Sequence, residues 1–203
     1  MNALLTLLYL VLCVGIVLLV PPLVAPHVAD YGLVTSVDAA KAVLLCATLA
    51  AIAGYYSYKQ GANGTFLLRL FITALLARMI LGTAIFVFKA QDFFGGDAIT
   101  YDFFGTAQLR GWGGDKYYQS IANTFVRSGE GSGWGMVYLV AAVYGLIGRN
   151  MLAVQLMNSG FGAATAVIIF LCAQQVFHNF RVARIAGIAV AFYPSLVLWS
   201  AQG

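Results

Sequence analysis

Long apolar segments without charged residues alternate with shorter polar stretches along this chain. A helix needs about 20 apolar residues to cross the roughly 30 Å hydrocarbon layer of a bilayer. Because lipid offers no hydrogen bonds to the backbone, segments of this length and apolarity form helices. The pattern predicts five spanning helices, over residues 3–20, 42–58, 66–88, 151–177 and 185–201.

Composition separates this chain from water-soluble domains. Hydrophobic residues make up 62% of it and charged residues 9%, against roughly 25% charged in an ordinary soluble domain. The net charge of +4 comes without a basic run of the kind that follows phosphates, so nucleic acid is not an expected partner. The three cysteines lie inside apolar segments and form no CxxC or Cys/His cluster, so we expect neither a metal site nor a cofactor.

These features predict an all-α fold, a polytopic transmembrane helical bundle that forms a single membrane domain over residues 1–203. Residues 1–65 contribute an N-terminal helix pair, and a long external loop with interfacial helices covers residues 89–150. The first apolar segment has no Lys or Arg before it, which favours a retained helix over a cleaved signal peptide.

Basic residues in short connections predict which side of the membrane a loop faces, because the cytoplasmic side collects Lys and Arg. The cations of the two predicted inner turns lie inside together with the N-terminus: Lys59, Arg69, Arg181 and Arg184. All seven Asp and Glu then lie outside. This arrangement requires the short apolar segment 134–148 to lie in the interface. If that segment crossed, Arg181 and Arg184 would face outward, against the charge rule.

The external loop contains most of the polar residues, and long ordered loops are often functional. Within it, two glycines end one helix, and Asp97 is placed to begin the next as its N-cap or first-turn residue. At about 100° per residue, Asp97, Tyr101 and Gln108 share one helix face, opposite an apolar stripe that includes Phe103. The stretch therefore predicts an amphipathic helix on the membrane surface, with Asp97 and Tyr101 facing water.

A series of short motifs runs through the second half of the chain. They are Asp97 with Tyr101 four residues later, YGLIG at 144–148, QQVF at 174–177 and AFYPSLVLWS at 191–200. Their order resembles the amino-terminal half of the C-type (GT-C) glycosyltransferases, which include the protein O-mannosyltransferases and the bacterial aminoarabinose transferase of lipid A. The resemblance covers about residues 66–203.

Membership in that superfamily would imply transfer of a sugar from a polyprenyl-phosphate donor to an acceptor on the outer face, with inversion of the anomeric carbon. Asp97 matches the family's first-loop catalytic Asp, the general base toward the acceptor. The departing phosphate needs a cation, and four remain open: Arg149, Lys89, Arg110 and Lys116. The substrate-binding candidates are Tyr101, Asp102, Arg149, Lys89 and Arg78.

Two features depart from the family pattern. Ala98 follows Asp97 where the family often has a second acidic residue, which argues against a metal-assisted variant. The family also continues beyond the region that matches Gly203, the last residue here. We therefore expect the chain to be an amino-terminal portion, a split subunit or a degenerate relative.

Each candidate residue also has a purely structural interpretation. Asp97 is a common N-cap residue type, and Asp102, about 100° further round the same helix than Tyr101, is placed to face water. Arg78, near the middle of its helix, is a functional residue, a partner of an outer Asp or a side chain that snorkels to the headgroups. Pro194 kinks the last helix or marks a break at a binding site. The loop aromatics form an interface belt or a sugar platform: Trp112, Tyr117, Tyr118 and Trp134.

The leading functional prediction is a multi-pass glycosyltransferase of the bacterial inner membrane, with its N-terminus in the cytoplasm and the lipid bilayer and a polyprenyl-phosphate-linked sugar as its partners. The alternative is a non-catalytic subunit that packs against other membrane subunits through small residues such as Gly160, Gly162, Ala163 and Ala164. A transporter or lipid scramblase is a weaker third option, because it would need paired ionisable residues at mid-bilayer and the sequence places only Arg78 there.

Overall fold

The computed structural model describes residue 15 and residues 35–88, 97–127 and 134–202. The predicted helix 3–20 and Lys89 lie outside these ranges. Within them every regular element is helical, which confirms the all-α prediction. The α-helices are α1 (Ser36–Tyr58), α2 (Gly64–Val87), α3 (Asp97–Trp112), α4 (Lys116–Arg127), α5 (Trp134–Ile147), α6 (Met151–Phe177), α7 (Phe180–Phe192) and α8 (Pro194–Gln202), with a short 3-10 turn at Gly61–Asn63.

Three of the described helices are long and apolar enough to cross a membrane, over Val37–Tyr58, Gly61–Phe86 and Met151–Phe177. A fourth span results if α7 and α8, which bend by 49° at their junction, cross together. The chain is thus a multi-pass membrane protein. The shorter apolar helix α5 has 14 residues and would reach only about 21 Å at 1.5 Å per residue.

Two of the apolar helices begin at side-chain caps, and these caps lie outside the purely apolar runs. Thr35 and Asp38 form a capping box, in which Thr35 Oγ1 accepts from Asp38 N at 3.2 Å and Asp38 Oδ2 accepts from Thr35 N at 3.2 Å. The cap starts α1 at Ser36, six residues before the predicted start. Asn179 caps α7 through Arg181 N at 2.9 Å, so that helix begins at Phe180 instead of residue 185.

Two sets of contacts define the two ends of the helical bundle. At one end Asn63 Nδ2 donates to Gln174 Oε1 at 3.1 Å, which places the turn between α1 and α2 beside the turn between α6 and α7. At the other end Asn150 Nδ2 donates to the carbonyl of Asp38 at 2.7 Å, and Lys41 Nζ donates to that of Ile147 at 3.0 Å. The N-termini of α1 and α6 therefore lie together, opposite the two turns.

The carboxylates of the described residues all lie at one of these ends. The end with the two turns, called the basic end, carries Lys59, Arg69, Arg181 and Arg184. The opposite end, called the acidic end, carries the described carboxylates Asp38, Asp97, Asp102 and Asp115. Because α2 arrives at the acidic end and α6 leaves from it, helices α3 to α5 form a connection on that side, and α5 does not cross on its own.

Helices α3 to α5 pack against one another at the acidic end. The rings of Phe104 in α3 and Phe125 in α4 stack with centroids 3.9 Å apart, and α3 also packs along α5. The predicted surface helix differs from the observed one at Gln108, which was expected to face water and is buried, whereas Phe103, expected to face lipid, is exposed. The reason is that α3 turns its Ala98–Asp102–Gly105 face toward neighbouring helices instead of lying alone on the membrane.

Candidate functional site

Asp97 is the first residue of α3 and is exposed at the acidic end. One helical turn later, the half-buried Tyr101 lies on the same side of the helix. Burial and the neighbouring charge of Asp97 both raise the pKa of the Tyr101 hydroxyl. Its proton therefore stays in place at neutral pH, and Tyr101 offers a hydrogen-bond donor next to an open carboxylate.

Asp102 does not face water: only 7% of the residue is exposed. Tyr144 of α5 donates its hydroxyl to Asp102 Oδ1 at 2.6 Å. Arg149, in the connection between α5 and α6, places Nε 3.1 Å from Oδ1 and 3.2 Å from Oδ2, and its Nη2 also contacts Oδ2. Bidentate Arg–carboxylate pairs of this kind are among the stronger and more directional hydrogen-bonded contacts in proteins.

The electrostatics of this cluster agree with its geometry. The hydrogen bond that Arg149 donates to Asp102 raises the pKa of Arg149, an effect that partial burial opposes. Burial, followed by the charge of Asp102, raises the pKa of Tyr144, so the hydroxyl stays protonated and donates. The Asp102–Tyr144–Arg149 cluster thus connects α3 to the start of α6 through one buried carboxylate.

The cluster also fixes the position of Asp97. Asp97 and Asp102 are five residues apart on α3, or roughly 7.5 Å along its axis. The Arg149 side chain is 54% exposed, and within the described residues its Nη1 makes no hydrogen bond. The acidic end therefore presents an open carboxylate, a tyrosine hydroxyl and a guanidinium edge within about two helical turns.

The cavity beneath this surface is small. A cavity of about 10 Å³ lies between α3, α5 and α6, lined by Tyr101, Asp102, Tyr144 and Gln155 among others. It has room for about one water molecule. A ligand larger than water does not fit in this cavity.

Arg78 lies far from solvent, in the second half of α2, with 1% of the residue exposed. Its Nε donates to Ser200 Oγ at 2.9 Å. Its Nη1 donates to the carbonyls of Ala74 at 3.1 Å and Ala191 at 2.7 Å, and Nη2 to that of Val190 at 3.3 Å. Two of the interpretations that the sequence left open do not fit this guanidinium: it has no outer Asp partner among the described contacts, and its side chain does not snorkel to the headgroups.

Two of the carbonyls that Arg78 binds, those of Val190 and Ala191, belong to the break between α7 and α8. Pro194 has no N–H and so leaves Val190 O without its usual donor four residues later. Tyr193 is extended, with φ −64° and ψ 120°, and the helical pattern resumes when Val197 N donates to Tyr193 O at 3.0 Å. The predicted kink at Pro194 is confirmed as a bend of 49° between α7 and α8, and Arg78 donates to the carbonyls of Val190 and Ala191 there.

Close packing around Arg78 depends on Gly162 of α6. A Cβ at this position would lie 2.6 Å from Ser200 Cβ and 2.8 Å from Arg78 Nε. Neighbouring Ala163 is fully buried. Gly162 and Ala163, two of the small residues considered above as a surface for partner subunits, instead pack within the chain itself.

Other candidates are placed apart from Asp97. Arg110 lies over the Tyr118 ring, 4.5 Å from its centroid, and Lys116 begins the polar face of α4. Trp112 stacks on Tyr138 of α5 with centroids 6.0 Å apart, so it packs between helices. Of the cations considered for phosphate binding, Arg149 is the one that the described contacts bring to α3 from another part of the chain, through Asp102.

No family model, curated protein or solved structure matches the chain. The resemblance to C-type glycosyltransferases therefore remains a prediction from the motifs at residues 97–101, 144–148, 174–177 and 191–200.

Proposed function

We propose that this chain is a glycosyltransferase of the bacterial inner membrane, or the amino-terminal portion of one, that takes sugar from a polyprenyl phosphate. The observation that carries the proposal is the exposed carboxylate of Asp97 at the start of α3, at the end of the bundle opposite the basic turns. By the charge rule the acidic end faces away from the cytoplasm. A carboxylate at headgroup level on that side is accessible to a lipid-linked donor and to an external acceptor.

The proposed reaction assigns one role to each group. The acceptor hydroxyl forms a bond to the anomeric carbon and gives its proton to Asp97, while the bond between that carbon and the phosphate oxygen breaks. The polyprenyl phosphate leaves with the electron pair of that bond. The unoccupied Nη1 edge of Arg149 binds this phosphate, and the protonated Tyr101 hydroxyl binds the sugar.

The buried Asp102 is proposed as a positioning residue. Because both of its oxygens are engaged by Tyr144 and Arg149, it is not placed to accept a proton from a substrate. It orients Arg149 and holds α3, which also carries Asp97. Asp97 and Asp102 are therefore proposed to have different functions although they lie on the same helix.

The test compares Asp97→Asn with Asp115→Asn in native membranes supplied with radiolabelled polyprenyl-phosphate hexose. General-base catalysis contributes about 10²–10⁴-fold, so Asp97→Asn is expected to lower transfer at least 100-fold while donor binding persists. Asp115 is exposed at the same end, and Asn retains its capping bonds to the start of α4. Equal transfer by wild type and Asp97→Asn would contradict the proposal, and labelling of a cysteine at position 181 from outside would contradict the orientation.

A further inference from the structure

A polar cleft lies at the basic end, between the turn after α1 and the end of α6. Its volume is about 600 Å³, and its lining includes Gln60, Asn63, Gln174, Gln175 and His178. The hydrogen bond from Asn63 to Gln174 fixes two of these amides across the cleft. Amide and imidazole groups concentrated at the end of membrane-spanning helices are suited to bind a polar headgroup.

An apolar groove continues from this cleft between α1 and α6. It has a volume of about 210 Å³, includes Ala53, Ala164 and Ile168 in its lining, and shares Gln60 and Leu171 with the cleft. On α6 the lining positions 164, 168, 171 and 175 recur every three or four residues, so they form one helix face. From position 164 to 175 this face is roughly 16 Å long, which matches the roughly 15 Å of hydrocarbon in one leaflet.

The positive charge at the basic end indicates which kind of headgroup the cleft binds. The Arg184 guanidinium lies 4.5 Å from the centroid of the Phe180 ring, which is part of the cleft wall. Arg181 is exposed in the same helical turn. In the described part of the chain neither arginine has a carboxylate partner, and no Asp or Glu lies at the basic end. A cleft with this rim attracts an anion.

We propose that the cleft and groove together bind one anionic glycerophospholipid from the leaflet at the basic end. The phosphate lies in the cleft, where the amides and the two arginines donate hydrogen bonds. One acyl chain lies in the groove, where alanines leave room between α1 and α6. The site is at the opposite end from Asp97, so it is independent of the proposed sugar transfer.

The test uses two variants that fill different grooves. Ala164→Phe fills the groove between α1 and α6, whereas Ala51→Phe fills a separate apolar groove of about 400 Å³ between α1 and α2. Each purified protein is reconstituted in nanodiscs of equal phosphatidylglycerol and phosphatidylcholine, released gently and examined by native mass spectrometry. Wild type and Ala51→Phe are expected to retain phosphatidylglycerol preferentially, and Ala164→Phe to retain at least tenfold less.

Replacement of Arg181 and Arg184 by Gln provides a second measurement that leaves the groove intact. This variant is expected to bind lipid without preference for the anionic headgroup, and it keeps the proposal testable if Ala164→Phe fails to fold. The proposal is overturned if the two phenylalanine variants retain the same amount of lipid, or if wild type shows no preference for phosphatidylglycerol. It is also overturned if a cysteine at position 164 cross-links to residues 3–20 or to a second copy of the chain in the bilayer.

Discussion

Replacement of Arg78 by Leu tests whether a buried guanidinium stabilises the break between α7 and α8. In the variant the carbonyls of Val190 and Ala191 lose the donors that Arg78 supplies. Each buried polar group left without a partner costs about 1–3 kcal/mol, so the free energy of unfolding is expected to fall by about 2–6 kcal/mol. The matched control is Arg69→Leu, because Arg69 is on the same helix but exposed, and its change should stay within about 0.5 kcal/mol.

A second substitution tests whether the cost of Arg78→Leu arises at the break between α7 and α8. Pro194→Ala restores an N–H that can donate to Val190 O, the acceptor four residues earlier. In the Pro194→Ala background, Arg78→Leu should therefore cost about 1–3 kcal/mol less than in wild type. A double-mutant cycle measures this coupling from sodium dodecyl sulfate unfolding in mixed micelles, followed by circular dichroism. Equal costs in both backgrounds, or equal costs for Arg69→Leu and Arg78→Leu, would refute the reasoning.

Two further predictions follow from contacts described above. Gly162→Ala should lower the free energy of unfolding in micelles by about 1–3 kcal/mol, because its Cβ would lie 2.6 Å from Ser200 Cβ; an unchanged value would argue against the close approach of α6 and α8. Wild-type stability should fall as pH rises above about 10, the ordinary pKa of tyrosine, because folded Tyr144 keeps its proton while the unfolded chain loses it. Unfolding measured from pH 8 to 11 should show a shallower decline for Tyr144→Phe, and identical slopes would contradict the raised pKa.

The apolar runs predict the spanning helices because length and hydrophobicity alone decide whether a helix fits a bilayer. The exact starts of α1 and α7 depend on caps at Thr35 and Asn179, and these lie in polar sequence outside the runs. Helix α4 was missed in a stretch rich in glycine and aromatic residues. Its signal was present in the polar residues at 116, 119, 120, 123 and 127, which recur at helical spacing.

The partners of the buried charged residues are harder to predict from the sequence. Asp102 looks exposed on an isolated helix, and Tyr144 and Arg149, which bury it, are 42 and 47 residues away. Pairing with an outer carboxylate was one of three interpretations open for Arg78, yet it binds backbone carbonyls more than 110 residues later. Pro194 was the available clue, because a proline in a spanning helix frees carbonyls that a distant donor can bind.

The pairing of Arg78 with the break has a consequence for biogenesis. An arginine at the centre of a single span costs about 2.5–3.5 kcal/mol for translocon insertion, and a helix broken at proline exposes polar backbone to lipid. Since α2 is synthesised before α7 and α8, the carbonyls that accept from Arg78 at the break do not yet exist when α2 enters the translocon. Release of α2 into lipid should therefore be delayed until α7 and α8 emerge, so that two segments poorly suited to enter the bilayer alone leave the translocon together.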